Sequence, residues 1–280
     1  MRKSAILEAV EGLVGAEDLR RAIKGVDIIG RIAVIKIPRE WHRIKHQVGE
    51  KVLARLGVDS VYMQTTPARR GDRVRGLEWL AGKRSTETIY SEHGCKFFVD
   101  IDKVYFSPRL SNERRRVADL VVEGETIVNM FAGVGTFSII IAKTRGARVF
   151  SIDNNPNAFE LMVENVALNR LNGMVIPILA DARVAAEDLG QIADRVLMPL
   201  PELAEAYLGD AVRMLGSQGW IHVYTHEEGG CEVEAVESAK SRMLKSAAQF
   251  AEVAYCEGKV VRSVGRKSYQ VVLDMLVRPH

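Results

Sequence analysis

The stretch TIVNMFAGVGTFSIIIAKTRGARVFSID (Thr126–Asp153) decides the fold. It opens on an apolar run of strand character and breaks at two glycines. Apolar residues at helical spacing follow, and a second strand-like run closes on an acid. Strand, glycine loop, helix and strand make the first part of a nucleotide-binding βαβ series. Gly133 and Gly135 remove side chains where backbone must pass close to a ligand. The spacing AGVGTF has no third glycine at the dinucleotide-fingerprint position, which weakens an NAD reading. It also lacks the Gly-Lys-Ser/Thr ending of a phosphate-gripping loop, which argues against ATP hydrolysis.

Downstream the same rhythm continues. Strand candidates GMVIPIL, DRVLMPL and GWIHVYT alternate with helix candidates PNAFELMVENVALNRLN, ARVAAEDLG and ELAEAYLGDAVRML. Such a series implies a parallel sheet with helices on both faces. The last part, from Lys245, reads as a helix end and two long strands joined through a glycine-containing turn. A terminal antiparallel pair closing a parallel sheet points to the class I methyltransferase-like branch of doubly wound, Rossmann-type folds. Upstream, residues 1–100 read as a small α+β domain. IIGRIAVIKI (Ile28–Ile37) is a strand candidate, EWHRIKHQVGEKVLARLG a helix stopping at Gly57, and DSVYMQT another strand. STETIYSEHGCKFFVDIDKVYF alternates over two strands around a turn at His93–Gly94. The expected division is a small α+β domain at 1–100 and a cofactor-binding domain at 101–280.

Two acids give the loop its chemistry. Asp153 ends the strand after the loop, where a carboxylate can accept two hydrogen bonds from a ribose diol. Asp181, in LADAR at the end of the next strand, stands where it can meet an adenine amino group. Loop, ribose acid and adenine acid at three consecutive strand ends describe an adenosine pocket without a phosphate cradle, which favours S-adenosylmethionine. The alternative for both acids is a helix N-cap, a common role for Asp. Asn155, followed by Pro156 at a helix start, can cap that helix and also touch the cofactor. Phe131 and Ala132 in the loop, Ala182 beside Asp181, and Met198 and Pro199 after the fourth strand complete the expected cofactor contacts. Asn165 and Asn169 read as structural ties between their helix and neighbouring loops.

Composition excludes several classes. With 47% hydrophobic and 27% charged residues the chain is globular rather than disordered. No apolar run approaches the roughly 20 residues that span a bilayer. The first residues, MRKSAILEAVEGLVGAEDL, carry acids through their apolar pattern, which fits an amphipathic helix better than a secretory signal. Three cysteines without paired spacing, Cys95, Cys231 and Cys256, fit a reducing cytoplasm and no metal site. The net charge of +3 says little, but its distribution says more. Pro67–Arg75 and Arg109–Arg116 carry four arginines each. Their planar forks suit phosphate and base edges, against the plainer reading of a solvated, salt-bridged surface.

Together DKVYFSPRLSNERRRVADLV, VNMFAGVGTFSI, SIDNNPNAFELMVENVALN and LADAR resemble the archaeal and eukaryotic tRNA (guanine-37-N1)-methyltransferases. They also resemble the related wybutosine-pathway tRNA aminocarboxypropyltransferase. The similarity runs from about Asp27 to the C-terminus, and YFSPRLSNER is its most specific piece. The residues before Asp27 are too few for the further N-terminal domain of longer relatives, so tRNA contact is expected to rest on the two domains present. The resemblance implies an archaeal, cytoplasmic, monomeric enzyme that uses S-adenosylmethionine on the anticodon-loop region of tRNA, with no membrane and no metal. It makes Glu113 the general base and Arg73 the group on guanine O6, with Tyr105 and Arg109 as pocket wall. Chemistry supports that division: guanine N1 carries a proton that a carboxylate must take, and a cation stabilises charge developing on O6. Without the motif, Glu113 would read as a surface residue paired with Arg109 or Arg116 along the helix. Arg69, Arg70, Arg114, Arg115 and Arg116 are phosphate-contact candidates, and Pro201 lies on the RNA side.

One departure stands out. Where the resembled methyltransferases carry an asparagine that holds the target base, this chain has MPLPELAEAYL, with Pro199 in its place and Pro201 kept. Proline offers neither a side-chain amide nor an N–H. Three readings follow: guanosine-37 N1-methylation, aminocarboxypropyl transfer from the same cofactor, or a non-catalytic RNA-binding relative.

Overall fold

The computed structural model describes residue 13 and residues 25–66 and 74–280. The chain forms two compact units, Met1–Ser111 and Asn112–His280.

In the first unit, β1 (Val26–Ile29) and β2 (Ile32–Ile35) form a tight antiparallel hairpin. The apolar run at 28–37 is therefore two strands. Gly30, at φ +53°, reverses the chain where a continuous strand was expected. A 3₁₀ turn (Arg39–Ile44) leads into α1 (Lys45–Leu56), which stops where expected. Gly57 is left-handed and donates its N–H to the Leu53 carbonyl at 3.0 Å. β3 (Ser60–Gln64) returns parallel to β2, and β4 (Leu77–Gly82) pairs antiparallel with β3. Val48 and Val52 of α1 meet Ala33, Ile35, Val61, Met63 and Leu80 in the core of this unit. β5 (Glu87–Glu92) and β6 (Cys95–Asp100) pair around His93 and Gly94. Both turn residues have positive φ, as a tight type I′ turn requires, at the place where the alternation put the turn.

The second unit opens with α2 (Ser111–Leu120) and builds one seven-stranded sheet. Its strands are β7 (Thr126–Asn129), β8 (Arg148–Asp153), β9 (Met174–Leu179), β10 (Ala193–Met198), β11 (Leu215–Glu228), β12 (Ala251–Gly265) and β13 (Ser268–Pro279). Their order is β12-β13-β11-β10-β7-β8-β9, with β13 antiparallel to both neighbours and the rest parallel. The order reverses between β7 and β10, where doubly wound sheets take ligands beyond the carboxyl ends of the strands. This is the class I methyltransferase-like sheet read from the sequence.

The intervening helices are α3 (Thr136–Arg145), α4 (Pro156–Leu168), α5 (Ala182–Leu189), α6 (Leu208–Met214) and α7 (Glu232–Ala247). Alternation along the strands separates the two faces. Phe150, Ile152, Val196, Met198, Ile221 and Val223 join Ala185, Leu208, Val212, Ala239 and Met243 in one cluster with α5, α6 and α7. Ser151 points the other way and donates to Ser138 of α3 at 2.7 Å. Residues 202–207, expected as helix, form turns instead, and α6 begins only at Leu208.

Candidate functional site

The glycine loop leaves β7 at Asn129 and is stitched to the neighbouring strands by backbone. Met130 N–H donates to the Leu197 carbonyl at 3.0 Å and Ala132 N–H to the Ile152 carbonyl at 2.8 Å. Asn165 of α4 holds the loop from below, its amide donating to the Val134 carbonyl at 3.1 Å. Asn169 ties back to its own helix instead, donating to the Asn165 carbonyl at 2.7 Å. The two glycines divide the work. Gly133 has φ +55°, and a Cβ there would meet nothing within 4 Å, so the space above it is open to a ligand. Gly135 has φ +84°, and its Cβ would stand 3.0 Å from Met162 Cγ and 3.2 Å from Ile139 Cδ1. Its missing side chain serves the packing of α3 on α4, a different reason from the ligand approach expected of it.

Asp153 closes the floor. Its Oδ2 accepts the Gly133 N–H at 2.7 Å and its Oδ1 the Asn155 N–H at 3.0 Å. Each oxygen keeps a second lone pair for a hydroxyl, as a ribose diol requires. Burial raises the Asp153 carboxyl above the usual range, opposed by those two backbone donors. The N-cap of α4 is Asn155, which accepts the Asn157 N–H at 3.0 Å, so Asp153 is no cap.

Asp181 is one: its Oδ1 accepts the Arg183 N–H at 2.8 Å at the start of α5. Its Oδ2 accepts the Tyr207 hydroxyl at 3.0 Å. Tyr207 also packs edge-on against Phe131 at 5.3 Å between ring centroids, and Arg183 lies 4.4 Å over the Tyr207 ring. Tyr207 thus joins the loop to the third strand end, a role its place in ELAEAYL did not suggest. Ala182 is buried beside Asp181. Met198 is 0% exposed with its side chain in the α5–α7 core, which corrects its placement among the cofactor contacts. Pro199, partly exposed, begins the turn that follows β10, with Pro201 buried just beyond it. The open space over Gly133 beside a two-oxygen acid fits the adenosine and methionine parts of S-adenosylmethionine.

Glu113 lies on the first turn of α2, 6% exposed rather than on the surface. Arg116, one turn on, grips it bidentately, Nε to Oε2 at 2.9 Å and Nη2 to Oε1 at 2.7 Å. The Tyr224 hydroxyl of β11 donates to Oε1 at 2.7 Å, and Lys259 Nζ of β12 stands 3.9 Å from Oε2. Burial pushes the Tyr224 hydroxyl well above its usual value, and the Glu113 carboxylate adds to it, so Tyr224 stays a donor. The helical pairing with Arg116 is therefore real, but it is buried and shared. Arg116 also reaches Asp274 of β13, which corrects its reading as a phosphate contact. Arg114 is 2% exposed, which runs against the same role there. Arg115 pairs with Asp119 at 3.0 Å on the exposed face of the helix.

In the first unit, Asp27 organises the arginines near YFSPR. Only 8% exposed, it accepts Arg109 Nε at 2.6 Å and Arg75 Nη1 at 2.8 Å. Arg75 stands 5.6 Å over the Tyr105 ring. Arg109 is thus paired with Asp27 and not with Glu113. Arg69, Arg70 and Arg73 lie outside the described residues. Among those described, no group of His, Cys, Asp and Glu is placed to hold a metal ion, and no helix is long and apolar enough to cross a membrane.

Known proteins share this chain's sequence pattern and fold. Residues 88–254 match the TRM5/TYW2 methyltransferase domain and residues 6–86 the TYW2 N-terminal domain. The chain is 37% identical to the tRNA (guanine(37)-N(1))-methyltransferase Trm5b of Pyrococcus abyssi, over 93% of this chain and 77% of the relative. It is 36% identical to the tRNA 4-demethylwyosine(37)-methyltransferase Taw21 of Saccharolobus solfataricus, over 92% of this chain and 96% of the relative. Identity is 34% to the tRNA(Phe) (4-demethylwyosine(37)-C(7)) aminocarboxypropyltransferase of Methanocaldococcus jannaschii, over 70% and 76%. Among solved structures, the complex of aTrm5 with tRNALeu superposes with a TM-score of 0.85 at 31% identity, covering 99% of this chain and 79% of that one. M. jannaschii TYW2 in complex with AdoMet superposes with a TM-score of 0.70 at 27% identity, covering 91% and 100%.

Proposed function

The chain belongs to the TRM5/TYW2 methyltransferase family, and from that footing we propose that it transfers a methyl group from S-adenosylmethionine to N1 of guanosine 37 in tRNA. The observation that carries the reading is the buried Glu113 carboxylate, gripped by Arg116 and Tyr224 on the first turn of α2. Asp153 orients the ribose, and the open space over Gly133 admits the methionine part. When bound, S-adenosylmethionine supplies a methyl group on a positively charged sulfur that departs as a neutral thioether. Glu113 takes the N1 proton as the bond from N1 to the methyl carbon forms. Arg73 is assigned to the charge developing on O6, with Tyr105 and Arg109 as wall residues for the base. Asp27 supports that wall by holding Arg109.

A second reading, methylation of 4-demethylwyosine at the same position, is favoured by Pro199. A target base cannot be held there by a side-chain amide, and the Saccharolobus relative named for that substrate is matched over nearly its whole length. Aminocarboxypropyl transfer uses the same pocket but moves a different carbon of the sulfonium.

The test is nucleoside mass spectrometry after incubation of the protein with two tRNAs, one carrying guanosine 37 and one carrying 4-demethylwyosine. Cofactor labelled separately in the methyl and carboxyl carbons is used with each. Label from the methyl carbon in 1-methylguanosine is expected. Methylation confined to the second tRNA replaces the first reading by the second, and carboxyl label in the product overturns both. Binding of both tRNAs without turnover of either leaves a non-catalytic RNA-binding protein.

A further inference from the structure

Behind Glu113 the second unit carries a continuous row of titratable side chains, buried at Glu113, His222 and Arg195 and partly buried at Arg116, Asp274 and Glu125. β11 and β13 pair with His222 opposite Asp274. His222 is 0% exposed, and its Nδ1 lies 2.5 Å from Asp274 Oδ1. Its Nε2 lies 2.6 Å from Arg195 Nη1. A guanidinium can only donate, so Nε2 accepts and the ring is the neutral tautomer with its proton on Nδ1. Arg195 in turn is held by Glu125, Nε to Oε2 at 2.8 Å and Nη2 to Oε1 at 3.0 Å. Arg116 closes the other end, with Nη1 at 2.5 Å and Nη2 at 3.1 Å from the Asp274 oxygens. The row therefore reads Glu113, Arg116, Asp274, His222, Arg195, Glu125.

Resting on the reading of Glu113 as the base, we infer that Asp274 is a positioning residue for the transfer: by sharing the Arg116 guanidinium it holds Glu113 in place while leaving that carboxylate able to accept a proton. Nη2 of Arg116 bonds to both acids, so a single positive charge is divided between two carboxylates. Without Asp274 the whole charge would face Glu113, and a carboxylate facing a whole guanidinium gives up its lone pair less readily. Without Arg116 two buried carboxylates would face each other, with the opposite effect. The other groups around Glu113 are Tyr224 from β11 and Lys259 from β12. Around Asp274 they are His222 from β11 and, in register on β12, Glu257, with Lys259 two residues further on. Burial opposes the Arg116 charge, but its bonds to Glu113 and Asp274 hold its pKa above the usual value.

The test measures single-turnover methyl transfer by the full chain against pH, on whichever of the two tRNAs the parent methylates. It compares the parent with Asp274→Asn, Arg116→Gln and Glu113→Gln. S-adenosylhomocysteine affinity is read in every variant as a check on the fold. In Asp274→Asn the plateau rate is expected to fall roughly tenfold, and the acid limb to move down by about one pH unit. In Arg116→Gln that limb moves up, and affinity stays within about twofold of the parent in both. An acid limb that stays in place in Asp274→Asn, or that moves the same way in both variants, overturns the inference. If Asp274→Asn does not fold, Arg116→Gln decides alone, and an unmoved limb there is equally fatal. Full turnover by Glu113→Gln, by contrast, removes the underlying reading of the base, whatever the other variants do.

Discussion

Asp153→Ala tests the ribose role proposed for this carboxylate against the loop tie that it makes in the structure. Two backbone N–H groups, Gly133 at 2.7 Å and Asn155 at 3.0 Å, lose their acceptor in the variant. Both sites are part-buried, so water partly replaces the oxygen and a cost of about 1 kcal/mol each is reasonable. For a unit of this size, about 2 kcal/mol lowers the midpoint of thermal unfolding by about 4–8 °C. The cofactor side is larger. Two ribose hydroxyls lose charge-assisted bonds of about 1.5–3 kcal/mol each, which weakens binding by roughly two to four powers of ten. Calorimetric titration with S-adenosylhomocysteine and thermal unfolding with and without it give both numbers on one preparation. A variant whose midpoint falls while its affinity stays within about threefold of the parent would refute the ribose assignment. Burial-raised protonation adds a second signature: in the parent, affinity declines as pH falls toward the raised Asp153 titration, and that decline is absent from the variant.

Glu113→Gln is expected to lower the methyl-transfer rate by roughly 10²–10⁴-fold while leaving S-adenosylhomocysteine affinity in place; equal losses in the two measurements contradict its role. Pro199→Asn returns a side-chain amide to the turn after β10 and is expected to raise turnover of guanosine-37 tRNA relative to 4-demethylwyosine tRNA; an unchanged ratio removes this position from substrate choice. His222 titrates below its ordinary value, first because it is buried and then because Arg195 and Arg116 oppose its charge, with Asp274 acting the other way. Its contribution to stability is therefore present above the unfolded histidine value near about 6.5 and is lost as pH falls, at up to about 1.4 kcal/mol per pH unit. In denaturant titrations His222→Gln should lose that component, and a variant with the parent's full slope between about pH 6.5 and 5 would show that the ring is charged in the folded state.

Local pattern made the second unit legible. Strand and helix periods, the glycine break and the acid at Asp153 all lie within one βαβ stretch, and the strands fall where the apolar runs placed them. Local reading failed where tertiary partners decide. Residues 28–37 gave a continuous apolar run, yet Gly30 turns it into a hairpin, because a positive φ leaves no trace in hydrophobicity. Met198 looked like a strand-end contact, but the alternation of β10 turns it into the α5–α7 core. Asp27 holds an arginine 82 residues away, and Arg116 an aspartate 158 residues away, separations beyond the reach of any sequence window. One signal was present and went unused: a histidine in IHVYT and an acid in VVLDMLV interrupt otherwise apolar strands. A charged or titratable residue in a buried strand needs a partner, so such interruptions predict a pair.

The two halves of the candidate site are held by different means, and that difference bears on what can vary. Asp153 is oriented by backbone N–H groups of its own loop and turn, so the βαβ geometry itself holds this carboxylate in place. Glu113 is oriented by side chains, Arg116 and Tyr224, and Arg116 is itself shared with Asp274. Single substitutions can therefore retune the acceptor side while the cofactor floor stays unchanged. Under the proposed function Pro199 belongs to that tunable side: its ring offers no amide to a base, and the strand end beside it keeps its Met130–Leu197 hydrogen bond.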